Sequence, residues 1–291
     1  MLHTVHVVQA FAEGQIGGAR MAVVAGADHL EASARQRIAQ VMGLPTTTFV
    51  SRGQTDLWEL QSYSAAGEAF AQSNNAVAAL ALLPQLGAAD LGWHRAQAES
   101  GVSDLLLESD GAFLKLPPAK YAHVLRDSVT LLQVQHALDL PADHWKRVPL
   151  PCRAECGSAY LLVAVPDQVS LLDVVVEPEI LQSLCQRLNL AGCCVFALPT
   201  RGGDTIASRV FAADSEQSEQ GASEIAAGAL ACYVHDHLGQ RTDQLQVDQG
   251  EPCCGESRLR LRAILERHDD GIVAVRVGGE VRIWRSFQFE A

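Results

Sequence analysis

The chain of 291 residues has no apolar run long enough to cross a bilayer. Its longest, Ile225 to Val234, is ten residues, against the roughly 18 that a transmembrane helix needs. No Lys or Arg stands ahead of an apolar stretch in the opening MLHTVHVVQAF, so no secretory leader is expected and the expected location is the cytoplasm. Positive charge is short as well. The 22 Lys and Arg are outnumbered by 34 Asp and Glu, and the net charge is −12. Such a surface repels phosphate backbones and argues against nucleic-acid partners. Lysine is scarce, at three positions (Lys115, Lys120, Lys146), while alanine fills 42, a bias of the kind GC-rich bacterial coding produces.

Cysteine motifs are missing too. The eight cysteines are Cys152, Cys156, Cys185, Cys193, Cys194, Cys232, Cys253 and Cys254. They contain no CxxC, and no His stands at ligand spacing from a Cys pair on one element, so no metal site is expected. Without a secretory context disulfides are not expected either. Cys193 and Cys194 sit within AGCCVFAL as small hydrophobes of a strand do. The expectation is a reduced, largely buried set of thiols and no cofactor.

What is present is an ordinary core-forming composition, 48 % apolar and 19 % charged, enough for one large domain or two small ones. The two halves echo each other. HTVHVVQAF and MAVVAG alternate as strands do, and Glu31 to Met42 then has Ala32, Ile38, Val41 and Met42 on one helical side. A β-branched run, Thr46 to Val50, follows. In the second half YLLVAV and LLDVVV predict strands. Glu177 to Leu188 predicts a helix with Ile180, Leu181, Leu184, Cys185 and Leu188 at helical spacing, and CCVFAL predicts a further strand. Strand, strand, helix, strand thus occurs twice, about 145–150 residues apart.

A second echo is sharper. Ser73 opens SNNAVAALALLPQLG and Ser223 opens SEIAAGALACYVHDHLG. Aligned on the serines, Ala76 meets Ala226, Ala79 meets Ala229, Leu80 meets Leu230 and Ala81 meets Ala231. A helix apolar on all sides must be buried on all sides. In a strand-rich chain its natural place is inside a curled sheet or barrel; two ordinary Ala-rich core helices are the alternative. Tandem Pro117 and Pro118 mark the linker between the halves. The closing GIVAVRVGGEVRIW predicts two strands around a Gly278-Gly279 turn.

Two equivalent barrels, each wrapped on an Ala-rich helix, resemble the diaminopimelate epimerase-like superfamily, and within it the phenazine-biosynthesis isomerase (PhzF) family. VVQAFAEGQIGGARMAVV resembles the family's opening strand, Gly-Asn-Pro turn and Ala-Val-Val. IAQVMGLPTTTFV is similar to its helix-to-strand segment, and ASEIAAGALACYV to the helix after its Asp loop. QGEPCCGESRLRLR followed by VRVGG is similar to its closing hairpin. The resemblance implies an α+β fold of two pseudo-equivalent lobes, residues 1–114 and 119–291, each a curled mixed sheet around a buried helix. The resemblance leaves open a return of the last strands to the first lobe. It also implies a ligand cleft between the lobes and a homodimer.

The family's chemistry uses a carboxylate that moves a proton, a Gly-His pair and an Asp loop, with the substrate's carboxylate held at the N-termini of the buried helices. Carried over by position, the glutamate is Thr46, the Gly-His pair is Gln72-Ser73, the loop Asp is Gln220 and the glycine beside the second helix is Glu224. The Gly-Asn-Pro turn has become Gly18-Ala19-Arg20. Neutral Thr, Gln and Ser are poor general bases on their own. The superfamily's thiol mechanism is missing as well, since the first helix start reads Ala71 and the second-half loop has no Cys.

The catalytic candidates are therefore Glu224, Thr46, Ser73 and Gln220, and the ligand-binding candidates Gly18, Arg20, Gln72, Asn74, Asn75 and Ser223. Glu224 reads either as a displaced acid/base at the mouth of the cleft or as a helix-start carboxylate beside a capping Ser223. Asn74 and Asn75 either orient a ligand or cap their helix. Arg20 either pairs with Glu224 or binds a ligand carboxylate. His235 and His237, at i and i+2, point to different faces. Two functions follow: a divergent isomerase or related biosynthetic enzyme acting on a small molecule with a relocated acid, such as Glu224 or Glu219, or a catalytically inactive homologue that binds a small molecule or a partner.

Overall fold

A computed structural model describes residues 2–14, 16–53, 57–69, 73–98, 101–124, 126–199, 203–213, 219–250, 258–269 and 271–290. The chain divides into two units, Met1–Lys115 with Gly278–Ala291, and Leu116–Val277.

In the first unit β1 (Leu2–Glu13) runs antiparallel to β2 (Ile16–Ala25), and β2 parallel to β3 (Thr47–Arg52). β3 runs antiparallel to β4 (Leu57–Ser64), which pairs antiparallel with the short β5 (Gly67–Ala69) and parallel with β6 (Gly92–Ala98). β6, β7 (Gly101–Leu107) and β8 (Gly111–Leu116) are successive antiparallel neighbours. The last strand of the chain, Gly271–Glu290, pairs with both β8 and β1, which closes the path into an eight-stranded barrel. Helix α1 (Ala32–Met42) connects β2 to β3 and packs on β3 and β4 through Ala34, Ile38 and Ala39. Val41, expected on its apolar side, is instead 69 % exposed, because the buried stripe runs through Ala34 and Ile38, four residues apart. Helix α2 (Ser73–Gln85) contacts β1, β2, β3 and β7, and its residues Ala76–Leu83 are buried all round.

The second unit repeats this plan. β9 (Lys120–Val124) flanks β10 (Cys152–Cys156). From β10 onward the strands are β11 (Ser158–Val165), β12 (Gly192–Ala197), β13 (Thr205–Ala212), β14 (Glu219–Gln220), β15 (Gln244–Gln249) and β16 (Leu259–His268). Their pairings run antiparallel, parallel, antiparallel, antiparallel to the short strand, parallel, antiparallel. The sequence of pairings from β1 to β7 is the same. Between β9 and β10 lie α3 (Ser128–Ala137) and a single 3-10 turn (His144–Lys146). Helices α4 (Gln168–Leu172) and α5 (Pro178–Leu188) take the place of α1, and α6 (Glu224–His237) takes that of α2, against β10, β11 and β16. Small side chains are required on α6: a Cβ on Gly228 would sit 3.0 Å from Leu116 Cδ1 and 3.3 Å from Cys156 Sγ. The fold is α+β, two equivalent curled mixed sheets, each around a buried Ala-rich helix.

Two sequence expectations are corrected. LLDVVV is not a strand. Asp167 accepts the Ser170 N–H at 2.8 Å and starts α4 across Leu171 and Leu172, and the valines after it are irregular. Gly278-Gly279 is not a turn either, because the last strand, now β17, runs unbroken through both. A Cβ on Gly278 would strike the Ala112 carbonyl, and one on Gly111 would strike that of Gly279. These glycines let β8 and β17 touch backbone to backbone.

Candidate functional site

The start of α6 is the most fully built of the predicted positions. Ser223 is its N-cap: the side-chain oxygen accepts the Ala226 N–H at 3.2 Å and donates to the Tyr160 hydroxyl at 3.3 Å. The Gln249 side chain grips the same residue from β15. Its Oε1 accepts the Ser223 N–H at 2.8 Å, and its Nε2 donates to the Ser223 carbonyl at 3.3 Å. Gln249 has no exposed surface, and Ser223 is buried. Glu224 follows as the first helical residue and is also wholly buried, rather than set at an open mouth. Its carboxylate lies at the positive end of the helix dipole.

Neither Tyr160 nor Gln249 was singled out by sequence, although Gln249 carried a signal. In QLQVDQ the positions Leu245, Val247 and Gln249 share one face by the two-residue period, and the first two are core residues. A glutamine on the buried face has to be satisfied there. Next to it Asp248 receives a two-pronged contact from Arg260 at 2.8 and 2.9 Å, with Arg258 at 3.5 Å.

At the other helix start, Ser73 opens α2, but its side chain and that of Asn74 lie outside the described residues, as do Ala71 and Gln72 altogether. Asn75 is buried and donates to Ser62 Oγ at 3.5 Å, which in turn bonds Thr48 Oγ1 at 3.0 Å. It therefore ties the helix to the barrel wall and does not cap it. Thr46 precedes β3, half-buried, and its carbonyl accepts the Ala22 N–H at 3.1 Å.

Gly18 has φ +83°, and a Cβ there would lie 2.9 Å from both the Ala10 oxygen and the Ala12 Cβ, so its glycine is required by packing against β1. Arg20 lies over the ring of Trp284, 4.2 Å from its centroid, and Arg285 lies at 4.4 Å from the same ring. Trp284 is the extra residue of a bulge, since Val7 pairs with Arg285 and Val8 with Ile283.

Gln220 pairs with Val210 in β14, and its side chain lies outside the described residues. Glu219 is committed elsewhere: Arg209 holds it at 3.1 and 2.8 Å and also donates to the carbonyls of Leu171 and Val174. Arg209 thus ties β13 to α4, and Glu219 is its ion-pair partner rather than a spare acid.

The described thiols are core residues. Cys152, Cys156, Cys185, Cys193, Cys194 and Cys232 are all buried and unbridged, while Cys253 and Cys254 lie outside the described residues. Burial pushes Cys152 and Cys185 up to about 11 and Cys194 to about 12. Asp236 accepts the Tyr121 hydroxyl at 3.0 Å and contacts His235, while the His237 ring stands against Tyr121 and Tyr233. The two histidines thus serve separate local contacts.

These features define a class of protein, an α+β fold of two repeated units, each a curled mixed sheet around a buried Ala-rich helix. The sequence model described as "Phenazine biosynthesis-like protein" (PhzC-PhzF) matches residues 8–285, and the chain belongs to that family. A Bacillus anthracis phenazine biosynthesis protein of the PhzF family superposes with a TM-score of 0.81 at 16 % identity over 100 % of both chains. A predicted epimerase from Pseudomonas aeruginosa does so with 0.74 at 22 % identity, covering 99 % of each chain. Among curated proteins, "Antisense-enhancing sequence 1" of Schizosaccharomyces pombe is 23 % identical over 96 % of each chain.

Proposed function

We propose that this chain is a divergent isomerase of its family, acting on a small molecule through an altered, thiol-free site in which Glu224 is the acid/base. One observation carries this reading. Of the two buried helices, α2 has no acidic residue in its first turn and α6 has one, Glu224. Thr46, at the position of the family's carboxylate, is neutral, so proton transfer at a helix start falls to Glu224. Its carboxylate also occupies the dipole end where the family holds a ligand's own anion, which favours a substrate without a carboxylate at that point. The total burial of Glu224 favours a second reading, a homologue that binds a small molecule without transforming it.

The two separate in deuterium oxide. The wild-type chain, incubated with a panel of small carbonyl and hydroxy compounds, is expected to wash deuterium into one carbon position, read by mass spectrometry, and Glu224→Gln is expected to lose it. Exchange at the same rate in Glu224→Gln overturns Glu224 as the acid/base. A ligand carried through purification in native mass spectra, together with no exchange by either protein, supports the second reading.

A further inference from the structure

The second unit contains a cavity of about 150 Å³ away from the start of α6. It lies between the segment after α3 and the connection from β11 to α4. That segment has no counterpart in the first unit, so the cavity belongs to the part of the chain where the internal repeat is broken. Local bonds hold its walls in place. Gln135 donates to the Pro141 carbonyl at 2.8 Å, and its own carbonyl accepts the Leu140 N–H at 2.9 Å. Asp139 adopts φ +49°, a left-handed conformation that Asp tolerates better than most residues.

His144 lines the cavity and is only 3 % exposed. Its Nε2 lies 3.0 Å from the Ala164 carbonyl. A carbonyl can only accept, so the ring proton sits on Nε2 and Nδ1 keeps its lone pair. Burial lowers the imidazole pKa, which keeps the ring neutral at neutral pH. Among the described residues nothing donates to that lone pair. Around it the rim carries three carboxylates, Asp139, Asp143 and Asp173, against one cation, Arg147, which lies 3.4 Å from Asp143. Val165 and Val174 supply a buried aliphatic wall.

This chemistry selects its ligand. An acceptor lone pair under a rim of net negative charge repels anions and favours a cation with N–H donors. Among the described residues no three His, Cys, Asp or Glu side chains converge to hold a metal ion. The aliphatic wall calls for a hydrocarbon body, and a cavity of about 150 Å³ is the size that accepts benzene. We propose that this cavity binds a small primary ammonium ion of about benzene size, its N–H groups donating to His144 Nδ1 and the rim carboxylates and its hydrocarbon part lying on Val165 and Val174. The proposal is independent of proton transfer at Glu224.

The test uses the full chain and three probes of one shape: cyclopentylammonium, cyclopentanol and cyclopentanecarboxylate. Binding is followed by calorimetry and by the ring C–H resonances of the histidines. Saturable binding of the ammonium alone, with a shift of the His144 resonances, is the expected result. Asp139→Asn combined with Asp173→Asn, both on the exposed rim, is expected to weaken it about tenfold, as for two partly exposed charge pairs. His144→Gln keeps a donor for Ala164 but loses the imidazole lone pair, and with an unchanged melting temperature it is expected to bind more weakly too. Equal binding of the alcohol and the ammonium overturns the proposal. So does saturable binding of the carboxylate, ammonium binding that leaves His144 unshifted, or no ammonium binding at millimolar concentration.

Discussion

Gln249 and Ser223 meet across 26 positions of sequence, and the helix start that carries Glu224 depends on that meeting. Truncation to Gln249→Ala strands the Ser223 N–H in a dry interior, while the Ser223 carbonyl keeps its bond from the Ala227 N–H at 3.0 Å, and is expected to cost about 2 kcal/mol. Ser223→Ala removes the cap bond and the bond to the Tyr160 hydroxyl, leaves the backbone paired, and is expected to cost about 1 kcal/mol. Chemical denaturation of both variants checks the order, and an equal or smaller loss for Gln249→Ala contradicts the clamp. Another residue-scale effect follows from buried imidazoles. His6 and His144 have pKa values held below 6.5 by desolvation. The unfolded chain therefore binds more protons just below pH 6.5, and stability present above that pH is lost as the pH falls towards the folded-state values. Denaturant midpoints are expected to drop from pH 7.5 to 5.5, and His144→Gln is expected to flatten that slope. An unchanged slope in the variant contradicts the assignment.

Among the elements, the two Ala-rich helices were legible because an all-apolar run of small side chains has few places to go. Their interiors, Ala76–Leu83 and Ala226–Val234, are buried throughout. Helix α5 was legible from its amphipathic spacing, apart from Ile180, which is 37 % exposed. Two misassigned elements share a cause, since local composition was read where a distant contact decided. Val174–Val176 have strand composition, yet the Asp167 cap and the Arg209 bonds to the Leu171 and Val174 carbonyls hold that stretch as a helix and its exit. Gly278-Gly279 has turn composition, yet it lies where β8 crosses β17. Gly278→Ala drives a Cβ into backbone and is expected to cost about 3 kcal/mol or prevent folding. Gly67→Ala meets open space at its Cβ and is expected to stay within about 0.5 kcal/mol. Thermal melts of the pair check this, and a Gly278→Ala protein as stable as Gly67→Ala contradicts it.

For the whole molecule, the duplication was readable about 145–150 residues apart, and the identical order of strand pairings in the two units is its physical form. The candidate site was readable only in part. Sequence named Ser223 and Glu224, which share a turn, but missed Tyr160 and Gln249, whose contacts with that turn span 63 and 26 positions. It also kept Glu219 and Arg20 open as site residues. The fold gives the first to Arg209 and sets the second against Trp284.

The proposed function puts the Glu224 carboxylate, at the start of α6, where a ligand's anion would otherwise bind. It is tested most directly by titrating a small carboxylate or sulfate into the wild-type and Glu224→Gly proteins by calorimetry. Two like charges about 4 Å apart cost about 1–4 kcal/mol, depending on how well the surroundings screen them. Removing one is therefore expected to tighten binding by about 5-fold to several hundred-fold, at a cost of about 1 kcal/mol in helix stability. Equal weak binding by the two proteins would show that Glu224 does not occupy the anion position, and the assignment of the acid/base would fall with it.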